Sequence, residues 1–218
     1  MKDLKLVIFD LDNTLLNRTQ GAYRTYECFL QDVLKINTDS VRSEAILNDL
    51  MNWDMYGNAD KGFIMQQLKK YYGFEVDTDY FKWWWLDNLW RHEEVYPHSH
   101  EVLSKLKEKY LLAVITSGDV AAQSNKIRHN HLEEYFCETL ISENIGADKP
   151  DPAIYRLLLD KLQIKPEEAV FVGDTFSKDI LGAARAGIRA IFIWPDDGRP
   201  SGRFAERIYQ IEDLLNIL

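Results

Sequence analysis

The sequence predicts an α/β fold: a Rossmann-like parallel sheet with helices on both faces, plus an all-helical domain inserted after the first strand. Three observations predict it. An apolar run, Leu6 to Phe9, stands near the start and leads straight into Asp10 and Asp12. From Val95 onward, strand-like and helix-like segments alternate. Between the two, residues 20–92 carry helical periodicity and no convincing strand. Repeated β-α units give a parallel sheet with helices on both faces. The first strand then has to join the later ones across the insertion. The expected division is a core of residues 1–16 and 94–218 and a helical domain of residues 17–93.

Taken in order, the first segment is a short buried strand, since four apolar residues in a row suit a parallel sheet covered on both sides. In the insertion, Ala22, Tyr26, Phe29, Leu30, Val33 and Leu34 form one apolar helical stripe. Val41, Ala45, Ile46 and Leu50 suggest a second helix. Phe63, Ile64, Leu68 and Tyr71 suggest a third, opened by Asp60 and closed near Gly73. Phe81, Trp84, Trp85 and Leu89 suggest a fourth. Trp83, Trp84 and Trp85 cannot share one helix face, because neighbours lie about 100° apart. In the core, strands are expected at Leu111–Ile115, Thr139–Ile141, Ala169–Val172, Arg189–Trp194 and Arg207–Tyr209. Helices are expected around Glu101–Lys109, from Ala121, from Pro152 and at Lys178–Ala186, with Gly187 as a stop and a last helix at the end. Asp151 followed by Pro152 fits an N-cap followed by the first helical position.

Composition narrows the class. With 218 residues and 46% hydrophobic content, the chain is large and apolar enough to fold as one large domain or two small ones. A net charge of -9 argues against a binder of nucleic-acid polymers. The start shows no signal-peptide pattern, and the longest apolar run, Tyr110 to Ile115, is far short of a membrane span of roughly 20 residues. Cys28 and Cys137 have no motif around them and are expected as a reduced pair of small core residues, which points to the cytoplasm.

The polar residues cluster at strand ends. The first strand ends in Asp10, Asp12 and Thr14; the second in Thr116, Ser117 and Gly118; the fourth in Gly173, Asp174 and Thr175, with Asp179 close behind. Lys149 lies in a short polar stretch just before a helix. All C-terminal ends of a parallel sheet lie on one edge, where ligands of open α/β sheets bind. Asp10, Asp12 and Asp174 offer hard oxygen ligands, suited to Mg²⁺. Lys149, the Thr116 hydroxyl and backbone N–H groups around Ser117 and Gly118 can hold phosphate oxygens. One carboxylate is then left to attack phosphorus. From the first segment alone, a polar turn after a strand reads equally well.

The four motifs, in this order and spacing, resemble the haloacid dehalogenase-like hydrolase superfamily, in the branch with a helical cap inserted after the first motif. The resemblance spans essentially the whole chain. It implies that Asp10 is the nucleophile and that Asp12 protonates the leaving group and then activates water. It implies Mg²⁺ held by Asp10, the Asp12 backbone carbonyl and Asp174, with Asp179 supporting the metal directly or through water. Thr116, Ser117, Gly118 and Lys149 match the phosphate-binding positions; Ser117 stands where many relatives carry Asn. Members that cleave carbon–halogen bonds typically lack the second aspartate, because a halide needs no proton, whereas an alkoxide leaving group does. Asp12 therefore points to phosphate esters.

Other motifs carry blander readings. His98 and His100, and His129 and His131, lack partners at zinc-like spacing and are expected at the surface. Leu15 and Gly21 occupy the positions where a calcium-binding loop needs Gly and Glu. There is no Walker loop and no Gly-x-Gly-x-x-Gly, so no nucleotide cofactor is indicated. Thr14 is expected to stabilise a turn, and Asp174, Thr175 or Asp179 to cap the following helix. Trp53, Tyr56, Trp83, Trp84, Trp85 and Trp90 are expected mainly as core. Arg18, Arg24 and Arg42 are candidate substrate contacts, each expected as a solvated residue.

The expectation is a Mg²⁺-dependent phosphomonoester hydrolase, acting through an aspartyl-phosphate on a small soluble metabolite under a closing cap. Sugar phosphates, phosphoglycolate, acylated amino-sugar acid phosphates and nucleoside monophosphates remain open as substrates. A phosphoryl transferase or phosphomutase of the same family is the alternative within enzymes, and a non-catalytic metabolite- or partner-binding scaffold is the alternative outside them. No membrane partner is expected, and the assembly is a monomer or homodimer.

Overall fold

The computed structural model describes residues 3–193 and 205–218. Contacts divide the chain into two compact units, Met1–Asn17 with Val95–Leu218, and Arg18–Glu94. The first unit is built on a six-stranded parallel sheet. Its strands are β1 (Leu6–Phe9), β2 (Leu111–Thr116), β3 (Glu138–Ile141), β4 (Ala169–Gly173), β5 (Arg189–Ile193) and β6 (Glu206–Ile208), in the order β3-β2-β1-β4-β5-β6. Trp194, which the sequence adds to the fifth strand, lies outside the described residues. The last strand begins and ends one residue earlier than its apolar pattern suggests.

In the second unit the helices are α1 (Arg18–Cys28), α2 (Val41–Asp54), α3 (Lys61–Tyr72) and α4 (Thr78–Asn88). The sheet unit adds α5 (Ser99–Lys107), α6 (Val120–His129), α7 (Ser142–Ile145), α8 (Pro152–Leu162), α9 (Leu181–Arg185) and α10 (Leu214–Ile217).

Alternation along β1 explains the two-sided core. Val7 and Phe9 pack with Val102, Leu103 and Leu106 of α5, Ile127 of α6 and Leu214 of α10. Leu6 and Ile8 point the other way, to Ile154, Tyr155, Leu158 and Leu159 of α8 and Ala183 of α9. Each fully buried side chain of this size contributes about 1.5–3 kcal/mol. That is why a strand of only 4 residues is fixed in place. β1 is central: Leu6 and Phe9 pair with Leu111 and Val114 on one side, and with Ala169 and Val172 on the other. This register brings the ends of β1, β2 and β4 side by side.

The helical unit has its own core. Tyr26, Phe29, Phe81, Trp84 and Trp85 form an aromatic cluster, with Tyr26 and Trp85 centroids 4.5 Å apart and Phe29 and Phe81 centroids 4.8 Å apart. Trp83 and Tyr56, expected mainly as core, are exposed instead; Trp84 and Trp85 are buried, and three consecutive tryptophans cannot share one helix face. Asp60 caps α3 through the Phe63 amide, and Gly73 ends it in the left-handed region at φ 77°. Four expected stripe residues are corrected. Val41, Ala45, Phe63 and Tyr71 are exposed. Val41 and Phe63 fall in the first turns after the Ser40 and Asp60 caps, while Leu47 and Met65 carry the buried face instead.

Arg18 is also corrected from solvated to buried. Its guanidinium forms a two-point pair with Asp54, at 2.7 and 3.2 Å, and Lys61 Nζ reaches the same carboxylate at 2.7 Å. The Tyr26 hydroxyl donates to Asp54 as well, at 3.2 Å. Gly57, at φ 88°, lies against this guanidinium, where a Cβ would come within 2.6 Å of Arg18 Cζ. Arg24 and Arg42 are exposed, as expected. Both cysteines are free, but Cys137 is exposed and Cys28 half-buried, so neither is a core residue. Among the described residues no helix is long and apolar enough to cross a membrane.

Candidate active site

The ends of β1, β2 and β4 build the site. The Asp10 amide donates to the Val172 carbonyl at 2.9 Å, which extends the β1–β4 ladder one residue past the strand. Asp10 is thereby held on rigid backbone rather than on a free loop. Gly173 closes β4 with Asp179 directly against it: a Cβ on Gly173 would fall 2.5 Å from Asp179 Cγ. Asp179 sits in a π-helical turn, Phe176–Ile180, and one oxygen accepts from the Thr175 amide at 2.9 Å. The N-cap residue of this turn, Thr175, makes no side-chain capping bond, so the cap expected of this segment is not formed. Asp174 accepts from the Thr175 hydroxyl at 3.2 Å.

Lys149 ties the acids together. Its Nζ donates to Oδ1 of Asp10 and, at 2.7 Å, to Oδ1 of Asp179. All three residues are buried. Thr14, expected to stabilise a turn, also points its hydroxyl at Asp10 Oδ2, at 3.4 Å. Burial raises the Asp10 carboxyl to about 7, with Asp179 and Asp12 adding to the rise against the pull of Lys149. Burial, then the charges of Asp10 and Asp179, push Asp174 well above the usual carboxylate range. Burial works against the Lys149 ammonium, but Asp10 and Asp179 outweigh it and hold its pKa above the ordinary value.

These shifts share one origin. Three carboxylates face one ammonium, and the excess negative charge has no water to dissipate into. Asp10, Asp174 and Asp179 offer oxygens that all lie within 4.8 Å of one another. An all-oxygen donor set of this charge suits a hard divalent cation such as Mg²⁺, which would neutralise the excess. The residues therefore fit a metal, and Asp179 belongs to the cluster itself. Among the described residues, no histidine joins such a cluster. His98 pairs with Glu101 and Glu212, and His100 with the Tyr135 hydroxyl.

Asp12 lies outside this cluster. Its two carboxylate oxygens accept from Lys126 Nζ at 2.7 Å and from Gln123 Nε2 at 3.1 Å. The same Gln123 amide donates to Thr116 Oγ1 at 2.5 Å. That leaves the Thr116 hydroxyl hydrogen to donate elsewhere. Neither Gln123 nor Lys126 stands out in the sequence, where both read as polar positions of an amphipathic helix. Their signal was spacing: three residues apart, on one face of the helix that follows the second strand.

Beyond Thr116 the loop is tied to its neighbours. The Ser117 hydroxyl donates to Asp148, and the Gly118 amide donates to Ser142 Oγ at 3.0 Å. The Gly118 N–H, expected for phosphate, is occupied here by that hydroxyl. Gly118 adopts φ 130°, a conformation that side chains resist. Asp119 then caps α6 through the Ala122 amide at 2.8 Å.

The haloacid dehalogenase-like hydrolase family matches residues 7–193. A glyceraldehyde 3-phosphate phosphatase of Pyrococcus furiosus is 26% identical over 199 residues, covering 88% of this chain and 81% of that protein. A phosphoglycolate phosphatase of Haemophilus influenzae is 30% identical over 198 residues, covering 86% and 84%. Among solved structures, the HAD-hydrolase YfnB of Bacillus subtilis, bound to magnesium, superposes with a TM-score of 0.83 at 21% identity, covering 98% of each chain. With its motifs gathered at one sheet edge and the family match running from β1 through β5, the chain belongs to the haloacid dehalogenase-like hydrolases.

Proposed function

We propose that this phosphatase of the family is a Mg²⁺-dependent phosphomonoester hydrolase that works through a phosphoryl group carried on Asp10. The observation that carries the reading is the cluster of Asp10, Asp174 and Asp179 around Lys149, with Asp12 held separately beside it. Asp10, Asp174 and Asp179, with the Asp12 backbone carbonyl, would hold the ion. When bound, Mg²⁺ supplies charge neutralisation for the acids and for the transferring phosphoryl group.

The residues divide the work. An Asp10 oxygen attacks phosphorus; the ester P–O bond breaks, and the departing oxygen takes a proton from the Asp12 carboxyl. Asp12, now a carboxylate, takes a proton from water as that water attacks phosphorus. The bond between phosphorus and Asp10 breaks, and Asp10 is regenerated with release of phosphate. Lys149 and the Thr116 hydroxyl hold phosphate oxygens through both steps. Ser117 and Gly118 shape the loop around that phosphate.

A small phosphorylated metabolite is the proposed substrate. The relatives named for glyceraldehyde 3-phosphate and phosphoglycolate support this class. A screen of purified protein with Mg²⁺ against sugar phosphates, phosphoglycolate, acylated amino-sugar acid phosphates and nucleoside monophosphates tests it. Release of inorganic phosphate is expected from at least one small ester. Isomer formation without phosphate release would favour the mutase alternative. Folded protein that turns over nothing in the panel would overturn the hydrolase reading.

A further inference from the structure

We infer that Lys126 and Gln123 are positioning residues that hold Asp12, in the carboxylate form that takes the proton from water, in its working pose and space it from the phosphate-binding hydroxyl of Thr116. This rests on the reading of Asp12 as the acid and base of the reaction. Lys126 is the least expected part. Its side chain is only 4% exposed, although a buried ammonium costs several kcal/mol unless it is paired. A leucine or methionine would fill the same place on α6 beside Ile127 with no such cost. What the ammonium gains is Asp12, at 2.7 Å.

Asp12 needs such a hold. It stands on the loop past β1, next to Asn13 at φ 58°, and its side chain is 23% exposed. A short carboxylate there would rotate among staggered positions unless both oxygens were fixed. Lys126 takes one oxygen and Gln123 the other. Gln123 adds a second constraint. Its amide also meets Thr116 Oγ1 at 2.5 Å, so one side chain spaces the acid/base carboxylate from the phosphate-holding hydroxyl. Both donors stand on α6, a rigid element, three residues apart and therefore on one face. A misplacement near 1 Å costs on the order of 10²-fold in rate, so this spacer is worth more to turnover than to binding.

Leaving-group chemistry tests the assignment. An alkyl phosphate needs a proton at the departing oxygen, whereas p-nitrophenyl phosphate releases a stable phenolate without one. Lys126→Met and Gln123→Leu should lower kcat on the alkyl ester by about 10–100-fold, with KM changed less than about twofold. On p-nitrophenyl phosphate the same variants should show a burst of nitrophenolate equal to the enzyme, then slow turnover, because only the water-activating step is impaired. Lys126→Arg, which keeps a charged donor, should restore part of kcat. Equal losses on both esters with no burst would reduce the pair to a structural role and overturn the inference. Gln123→Leu carries the test by itself if the Lys126 variant does not fold, as judged by circular dichroism. If the wild-type enzyme hydrolyses neither these esters nor any in the metabolite panel, the hydrolase reading falls and takes the positioning role with it. A wild-type enzyme active on both, with unaffected variants, overturns the positioning role alone.

Discussion

The Nζ of Lys149 donates to Oδ1 of Asp10, joining two buried residues 139 positions apart in the chain. The same ammonium holds Asp179 at 2.7 Å, so one cation organises both sides of the acidic cluster. Replacing it by methionine keeps the volume and removes the charge. Lys149→Met should lower kcat/KM by on the order of 10²–10³-fold, the usual cost of losing one preorganised donor to the reacting group. The loss should be read at saturating Mg²⁺. A variant within threefold of wild type would remove Lys149 from the phosphate site.

Asp10→Asn separates chemistry from fold. Turnover should fall by about 10⁴-fold or more, as when a nucleophile is removed. Stability should move the other way in EDTA. Burial and neighbouring acids raise the Asp10 carboxyl to about 7, so its ionised form opposes folding at higher pH. An asparagine there relieves the repulsion, and the melting temperature at pH 8 should equal or exceed that of wild type. Retained activity would remove Asp10 as the nucleophile; a collapse in stability would contradict the electrostatic account of the cluster.

Metal removal follows from the same charges. EDTA should abolish activity and Mg²⁺ restore it. At Mg²⁺ about 100-fold above its dissociation constant, linkage adds roughly 2.7 kcal/mol to stability, visible as a rise in melting temperature. Full activity in metal-free protein would sink the metal assignment.

Gly173→Ala probes how closely Asp179 is packed. The new Cβ would sit 2.5 Å from Asp179 Cγ and 2.6 Å from its Cβ, and Gly173 is itself paired with Phe192 of β5. Overpacking of this kind costs about 1–3 kcal/mol. Displacement of Asp179 should also raise the Mg²⁺ concentration needed for half-maximal activity. An alanine variant with unchanged melting temperature and unchanged Mg²⁺ response would show that Asp179 is not held as tightly as its contacts imply.

The strands and their chemistry were legible because both signals are local. Four apolar residues followed by Asp10 announce a buried strand with charge at its end, and the parallel topology does the rest. What escaped were contacts that depend on which way a helix is turned. Gln123 and Lys126 look like solvated helix positions until β2 and α6 are placed together. Arg18 looked solvated for the same reason, since its partner Asp54 is 36 residues away at the end of another helix. Val41 and Phe63 are exposed because apolar residues in a capped first turn need not face the core. The helix expected at Lys178–Ala186 begins instead as a π-helical turn at Phe176–Ile180 that carries Asp179, a turn type with no periodic signature of its own.

The buried pair of Arg18 and Asp54 gives the helical unit an acid limit. Burial alone would raise the Asp54 carboxyl, but Arg18 and Lys61 outweigh it and hold it well below the ordinary 3.8. A depressed folded value means the pair's contribution is fully present above the unfolded pKa, near 3.9, and is lost as pH falls through the folded value. Stability from this source should be level between pH 5 and 8 and decline below about pH 4. Tryptophan fluorescence reads it, since Trp53, Trp83, Trp84, Trp85 and Trp90 all lie in this unit. Asp54→Asn leaves Arg18 and Lys61 without a counter-charge and should cost about 3 kcal/mol at pH 7. Below pH 4 the gap to wild type should narrow, because the unfolded wild-type chain takes up a proton at Asp54 that the folded ion pair resists. A gap that stays constant from pH 7 to pH 3 would mean that the charge of Asp54 contributes nothing and that its hydrogen bonds alone hold the cluster.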